Sequence, residues 1–218
     1  MGWANKLIGW TSSTGAEVNS EGALYTVDLD PTGDNYTVVG KTGTIAAAAA
    51  GGAAVFAMRL DPGSAKKAWI ELVRIRWTTL VAFTTPVTAT RSIVLTRGSG
   101  AATSGGTAIT TATKKDSTNG ASEFDTALGG DMRIATTGAL TVTGITWETV
   151  NLGEVTLAHL GAAGAHSEAI YEFSNRNHAV ELNPGEVFGI RVGPSAMDAA
   201  GTWMIGVEVA WRESTTEA

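Results

Sequence analysis

The C-terminal part of the chain alternates regularly between two sets of side chains. Every second residue from Trp203 to Trp211 is a large apolar one, and the residues between them form a more polar set. The runs 178–182 and 187–192 alternate in the same way. Because successive side chains of a strand point to opposite faces, this period of two predicts three strands of an antiparallel sheet with one dry face.

Tight turns are predicted where Pro precedes Gly between alternating runs. In residues 183–186, Asn-Pro-Gly-Glu, Pro184 presets the backbone angle of the second turn position. Gly185 then supplies the positive angle that a type II turn needs next. Residues 61–64, Asp-Pro-Gly-Ser, repeat the arrangement, so both sites are expected to reverse the chain.

Shorter alternating runs upstream predict a chain made almost entirely of strands. One helical turn is expected where Ser122–Asp125 resembles a capping box and Gly129 can end it. Many short strands separated by turn signals favour an all-β, antiparallel β-sandwich, and the long loops favour a jelly roll. We expect residues 1–22 to form an N-terminal arm and residues 23–218 a single sandwich domain. The upstream strands are predicted at 24–29, 36–39, 53–60, 69–80, 87–97, 107–110, 132–135, 141–150, 155–160 and 166–173.

The long strand predicted at 69–80 changes phase along its length. Ile70 and Leu72 are in phase with each other, whereas the apolar series that starts at Val73 is in the opposite phase. A β-bulge near Leu72 would reconcile the two series, and burial of both faces is the alternative. In either case we expect Arg74 and Arg76 to face water or a partner.

The charge and the amino-acid composition of the chain disfavour some functional classes. The formal net charge is −6, which disfavours binding to a phosphate backbone. Charged residues make up 17% of the chain, below the roughly 25% of ordinary globular proteins. A weakly charged surface of small residues suits packing against neighbouring subunits. The chain has no cysteine, which excludes disulfides and thiolate metal sites, and we expect neither a signal peptide nor a membrane span.

The N-terminal residues Trp3, Leu7, Ile8 and Trp10 are apolar and precede a polar stretch. They could be a first strand followed by a loop. Alternatively, the two tryptophans could anchor an arm to a neighbouring subunit, because aromatic side chains dominate interface energetics. We take these four residues as the candidate intersubunit contact.

Metal ligands and cofactor motifs are not evident. His159, His166 and His178 have no His or acid partner at metal-ligand spacing. Residues 28–39 open like a calcium loop, but Pro31 intrudes and Val39 occupies the position of the bidentate Glu. We therefore predict no metal and no cofactor.

The acidic residues do not single out a catalytic pair. A glycoside hydrolase needs only two carboxylates, and Glu71 and Glu208, each inside an apolar strand, are the first to examine. An outward position on a half-wet strand also accounts for both. The chain contains no Gly-x-Ser-x-Gly element and no phosphate-binding Gly-x-x-x-x-Gly-Lys loop. We predict a protein without enzymatic activity.

Five tryptophans in predicted strands could have either of two roles. They could form a flat platform for sugars, or they could fill the core and subunit interfaces, which is the more common role of such residues. The five are Trp69, Trp77, Trp147, Trp203 and Trp211.

Five segments between residues 35 and 212 carry a resemblance to a known group of proteins: 40–47, 55–59, 70–77, 132–140 and 182–191. They resemble structural proteins of tailed-bacteriophage virions, of the jelly-roll capsid decoration (cement) type. The resemblance implies a non-enzymatic component of the capsid surface, made in the host cytoplasm. It also implies two partners: the major capsid protein, and further copies of the chain in a homo-oligomer, most simply a trimer. A tail or baseplate module that binds host glycans is the alternative.

Overall fold

The structure is a computed structural model in which strands dominate. For residues 7–8, 15–18 and 24–26 it describes the backbone alone. The other described residues are 33–46, 49–83, 91–157, 163–164, 166–173, 179–197 and 200–215.

The chain divides into two compact units. The first contains residues 1–33 and 218, and the second contains residues 34–217. In the first unit, β1 (Leu7–Ile8), β2 (Gly15–Val18) and β3 (Leu24–Thr26) form an antiparallel sheet in that order. The predicted end of the arm at residue 22 stays a prediction.

The second unit is a sandwich of two antiparallel sheets, as predicted. We call them sheet I and sheet II. Sheet I contains β4 (Asp34–Lys41), β5 (Ile45–Ala46), β7 (Lys67–Val81), β10 (Thr113–Lys114), β14 (His166–Glu172), β15 (Val180–Leu182) and β17 (Thr202–Ser214). Sheet II contains β6 (Ala54–Arg59), β8 (Ser92–Gly100), β9 (Thr107–Ala108), β11 (Asp131–Ile134), β12 (Ile145–Trp147), β13 (Gly153–Thr156) and β16 (Glu186–Val192).

Eight of these strands pair in a nested order. β4 pairs with β17, β6 with β16, β7 with β14, and β8 with β13. The first of the eight therefore pairs with the last, the second with the seventh, and so on inward. Pairing of β17 with β7 and of β16 with β8 then completes the two sheets. This is the strand order of a jelly roll, which the long loops favoured.

The predicted turns are present. Gly185 has a φ of 81°, and the amide of Glu186 donates to the carbonyl of Asn183 at 2.9 Å, which closes the turn between β15 and β16. The amide of Ser64 donates to the carbonyl of Asp61 at 3.1 Å in the second Pro-Gly turn. Both turns reverse the chain where the sequence predicts it. The prediction that the three C-terminal strands share one sheet is wrong, because β15 and β17 lie in sheet I and β16 lies in sheet II.

The helical turn is a 3-10 helix at Thr126–Leu128, and Gly129 ends it with a φ of 101°. The capping-box pattern lies just before it. The Asp125 carboxylate accepts a bond from the Ser122 amide at 3.3 Å, while the Ser122 hydroxyl accepts one from the Phe124 amide at 3.1 Å. The prediction is confirmed, with the helix starting after the box instead of inside it.

A β-bulge in β7 explains the change of phase. Ala210 of β17 lies opposite Leu72, but the next residue, Trp211, lies opposite Ile70, so that Glu71 is the extra residue. Ile70 and Val73 are consequently both buried in the core although they lie an odd number of positions apart. This confirms the predicted bulge near Leu72.

Side chains from both sheets fill the space between them. The core is rich in aromatic and branched residues, and its largest members are almost inaccessible to solvent. These large, fully buried residues are Tyr36, Ile45, Phe56, Met58, Leu60, Ile70, Ile75, Trp77, Phe124, Phe188, Trp203 and Trp211.

Candidate interaction surfaces

The histidines do not join other ligands in the described part of the chain. His166 begins β14 and is exposed, whereas His159 and His178 lie outside the described residues. In the described ranges no group of three or more His, Cys, Asp or Glu side chains could hold a metal ion. Asp34, from the candidate calcium loop, binds Lys66 Nζ at 2.9 Å, and the earlier carboxylates of that loop lie outside the described residues.

Charged side chains on the outer face of sheet I pair with one another. The register places Arg74 opposite Glu208 and Arg76 opposite Glu168. Glu71 and Glu208, the first acids to examine for a catalytic role, each bind a different arginine. The ion pairs, which we call the ion-pair ladder, are Arg74–Glu208 at 2.8 Å, Arg74–Glu168 at 3.6 Å, Arg76–Glu168 at 2.9 Å and Arg212–Glu71 at 3.4 Å.

A shallow depression interrupts this face at Gly206, which has no side chain. Val39, Arg74, Arg76 and Glu208 line it. Its volume is about 90 Å³, whereas pockets for small organic ligands usually measure about 300–1,000 Å³. The depression is therefore too small to be a substrate pocket.

Four of the five strand tryptophans are at most 5% exposed, so they do not form a sugar platform. Trp77 and Trp203 stack in the core, and Trp211 packs edge-on against Phe124. Trp69 faces outward but is covered by Arg212, whose guanidinium carbon lies 5.1 Å from the ring centroid. Core packing, the more common role, thus accounts for most of them.

A buried carboxylate closes one end of the sandwich. Glu213, which is 1% exposed, accepts hydrogen bonds from Ser122 Oγ at 2.6 Å, Trp211 Nε1 at 2.9 Å and the Glu123 amide at 3.0 Å. Burial raises the pKa of Glu213, and these three donors and Lys66 oppose the rise. All its partners are donors of this chain, so Glu213 fastens the loop before the 3-10 helix to β17.

Two further buried carboxylates also hold loops. Asp125 accepts a bond from the Ala112 amide at 2.7 Å, and Asp131 accepts bonds from the amide and hydroxyl of Thr103. Arg133 Nε donates to Asp131 at 3.0 Å. These hydrogen bonds give both carboxylates a structural role in holding the loops.

The fifth strand tryptophan, Trp147, lies on the outer face of sheet II. A Cβ on Gly189 would come within 2.5 Å of Trp147 Cη2, and one on Gly98 would come within 2.9 Å of Cε3. The two glycines therefore form a platform for the indole. Arg191 covers it from outside, with its guanidinium carbon 4.7 Å from the ring centroid.

Three arginines surround Ala57 and Gly189 on the same face, and we call them the arginine patch. Ala57 lies opposite both Arg133 and Gly189 in the register. Arg59 follows Ala57 by two residues along β6, and Arg191 follows Gly189 by two residues along β16, so all three share one face. The patch was not predicted. Its only advance signal was glycine inside strands, which often marks close approach of another group.

The candidate intersubunit contact at the N-terminus is described only in part. Leu7 and Ile8 form β1, and their register partners are Ala16 and Gly15. Trp3 and Trp10, along with all side chains of β1, lie outside the described residues, so their role at an interface stays a prediction.

No family model and no curated protein matches this sequence. The described residues include no helix that is both long and apolar enough to cross a membrane.

Proposed function

We propose that the protein is a structural component of a bacteriophage virion, a capsid decoration protein that binds across neighbouring subunits of the head shell. The supporting observation is the jelly-roll sandwich whose aromatic residues fill its own interior. The charged side chains on the outer face of sheet I form ion pairs, and the buried carboxylates hold loops through hydrogen bonds. Such a molecule acts through broad surfaces, as the resembling phage proteins do.

The proposed partners are the major capsid protein and further copies of this chain, in a trimer on the capsid surface. A decoration protein stabilises a shell by burying area across several subunits, and many weak contacts add through multivalency. The N-terminal residues Trp3, Leu7, Ile8 and Trp10 are proposed as an intersubunit contact. No enzymatic step is part of this role.

Capsid binding provides the direct test. The purified protein is mixed with empty heads of the phage that encodes it, prepared without this protein, and the heads are sedimented. We expect saturable co-sedimentation and greater resistance of the heads to heat. Light scattering of the free protein measures its oligomeric state, for which we expect three copies.

A truncated chain starting at residue 23 tests the arm separately. We expect it to keep the sandwich, judged by its circular dichroism, and to lose trimerisation or head binding. Unchanged assembly would refute the arm. Failure of the full chain to bind heads, combined with specific binding to a glycan array, would favour the tail or baseplate alternative.

A further inference from the structure

The outer faces of the two sheets differ in how their charges are balanced. On sheet I every arginine of the ion-pair ladder has a carboxylate within 3.4 Å. Acid and base alternate across neighbouring strands, so the charges of this face balance, although the Nε atoms of Arg74 and Arg212 have no hydrogen-bond acceptor. Exposed pairs of this kind add little stability, but they neutralise the surface.

The outer face of sheet II has an excess of cations. Arg59 and Arg191 have no carboxylate of the described residues within ion-pair distance, and the Nε of Arg59 is buried without an acceptor. Arg191 donates through Nε only to the carbonyl of Gly52, at 2.9 Å. Burial lowers the pKa of Arg191, and no neighbouring acid raises it. Of the arginine patch, only Arg133 has an acid partner.

The two uncompensated cations lie on adjacent strands, with Arg59 opposite Val187 and Arg191 opposite Ala54. The small residues Ala57 and Gly189 lie between them. Arginine side chains can span that centre, and the Trp147 ring holds the guanidinium of Arg191 in place. The indole also covers Gly189, so a partner would meet the guanidinium groups and the indole, not the backbone.

We propose that the arginine patch on sheet II is a docking surface for a partner protein that presents a cluster of carboxylates. Guanidinium groups bind carboxylates through paired, charge-assisted hydrogen bonds, which are stronger than neutral ones. Such a partner supplies acceptors to Arg59 and Arg191, with which the described acids of the same face, Asp131 and Glu154, form no ion pair. Nucleic acid is disfavoured because the chain as a whole carries a net charge of −6. A decoration protein could meet the shell in this way, but the patch does not depend on that role.

The test uses the ¹⁵N-labelled protein and an octaglutamate peptide. In NMR spectra the Nε–H signals of arginine and the indole N–H signals of tryptophan resolve individual side chains. We expect the peptide to shift the signals of Arg59, Arg191 and Trp147 in a salt-sensitive manner. The signals of the ion-pair ladder should stay in place.

Two variants make the result decisive. Arg59→Gln combined with Arg191→Gln should weaken peptide binding at least about tenfold, since each lost charge-assisted bond is worth roughly that much. Arg76→Gln on sheet I is the matched control and should bind as the original does. If the double variant loses its folded spectrum, Arg59→Gln alone is used, with about tenfold weakening expected from the one lost bond. Equal shifts on sheet I, no shifts at all, or tighter binding of an octathymidylate would each overturn the proposal.

Discussion

Trp77 and Trp203 stack on each other in the core, with ring centroids 4.3 Å apart and ring planes 18° apart. They come from β7 and β17, neighbouring strands of sheet I, and both rings point toward sheet II. Trp77 Nε1 donates to Thr79 Oγ1 at 3.1 Å, which satisfies the indole N–H of Trp77 inside the core. Offset aromatic pairs add about 0.5–1.5 kcal/mol beyond the burial of their area.

Removal of this stack should destabilise the sandwich strongly. Trp203→Ala leaves a large cavity between the sheets, and we expect the free energy of unfolding to fall by about 3–5 kcal/mol. Urea unfolding followed by circular dichroism measures the loss. Val150→Ala is the control, because Val150 is 73% exposed and should change stability by less than about 0.5 kcal/mol. Equal effects of the two substitutions would contradict the proposed core.

The positive φ angle of Gly185 predicts that a side chain at this position lowers the stability of the protein. Its φ of 81° is a conformation that L side chains adopt at a cost of about 1–2 kcal/mol. We therefore expect Gly185→Ala to lower the free energy of unfolding by that amount. In Gly138→Ala the added Cβ has no atom within 4 Å and the backbone angle is ordinary. That control should be neutral in the same urea titration.

Much of the sheet structure could be predicted from side-chain period alone. The alternation from Trp203 to Trp211 gave the buried face of β17, because one face of a sandwich strand must be dry. The phase change at Leu72 gave the bulge, because neither face alone could bury both apolar series. The buried face of β17 and the bulge in β7 both follow from residues close together in the sequence. The observed strand pairing agrees with both predictions.

The surfaces could not be predicted, because they depend on residues distant in sequence. Trp147 follows no clear period, and its position is set by Gly98 and Gly189 on two other strands. Arg59 and Arg191 come onto one face of a sheet only when β6 pairs with β16. The buried position of Glu213 could have been predicted from the sequence, because Glu213 continues the inward-facing series of β17 two residues after Trp211.

The contact between Trp147 and Gly189 predicts strong coupling between the two positions. Gly189→Ala forces a methyl group against the indole and should cost about 1–3 kcal/mol in urea unfolding. In a Trp147→Ala background the methyl group has space, so most of that cost should disappear. Gly206→Ala on sheet I is the matched control, since its Cβ would lie 3.7 Å from Arg76 Cβ, an ordinary contact. Additive effects of the two changes would show that the indole lies elsewhere.

Burial of Glu213 makes the stability of the sandwich depend on pH. An exposed glutamate has a pKa of 4.5, and burial raises that of Glu213 in the folded protein. The folded state then binds the proton more tightly, so the stabilising contribution is largest below the ordinary value and is lost as the pH rises through the raised pKa. We expect the difference in unfolding free energy between the original protein and Glu213→Gln to fall from pH 4 to pH 7. Ser122→Ala removes the donor at 2.6 Å, should raise the pKa further, and should extend the fall to higher pH. A difference that grows with pH in urea titrations would mean that the donors outweigh burial.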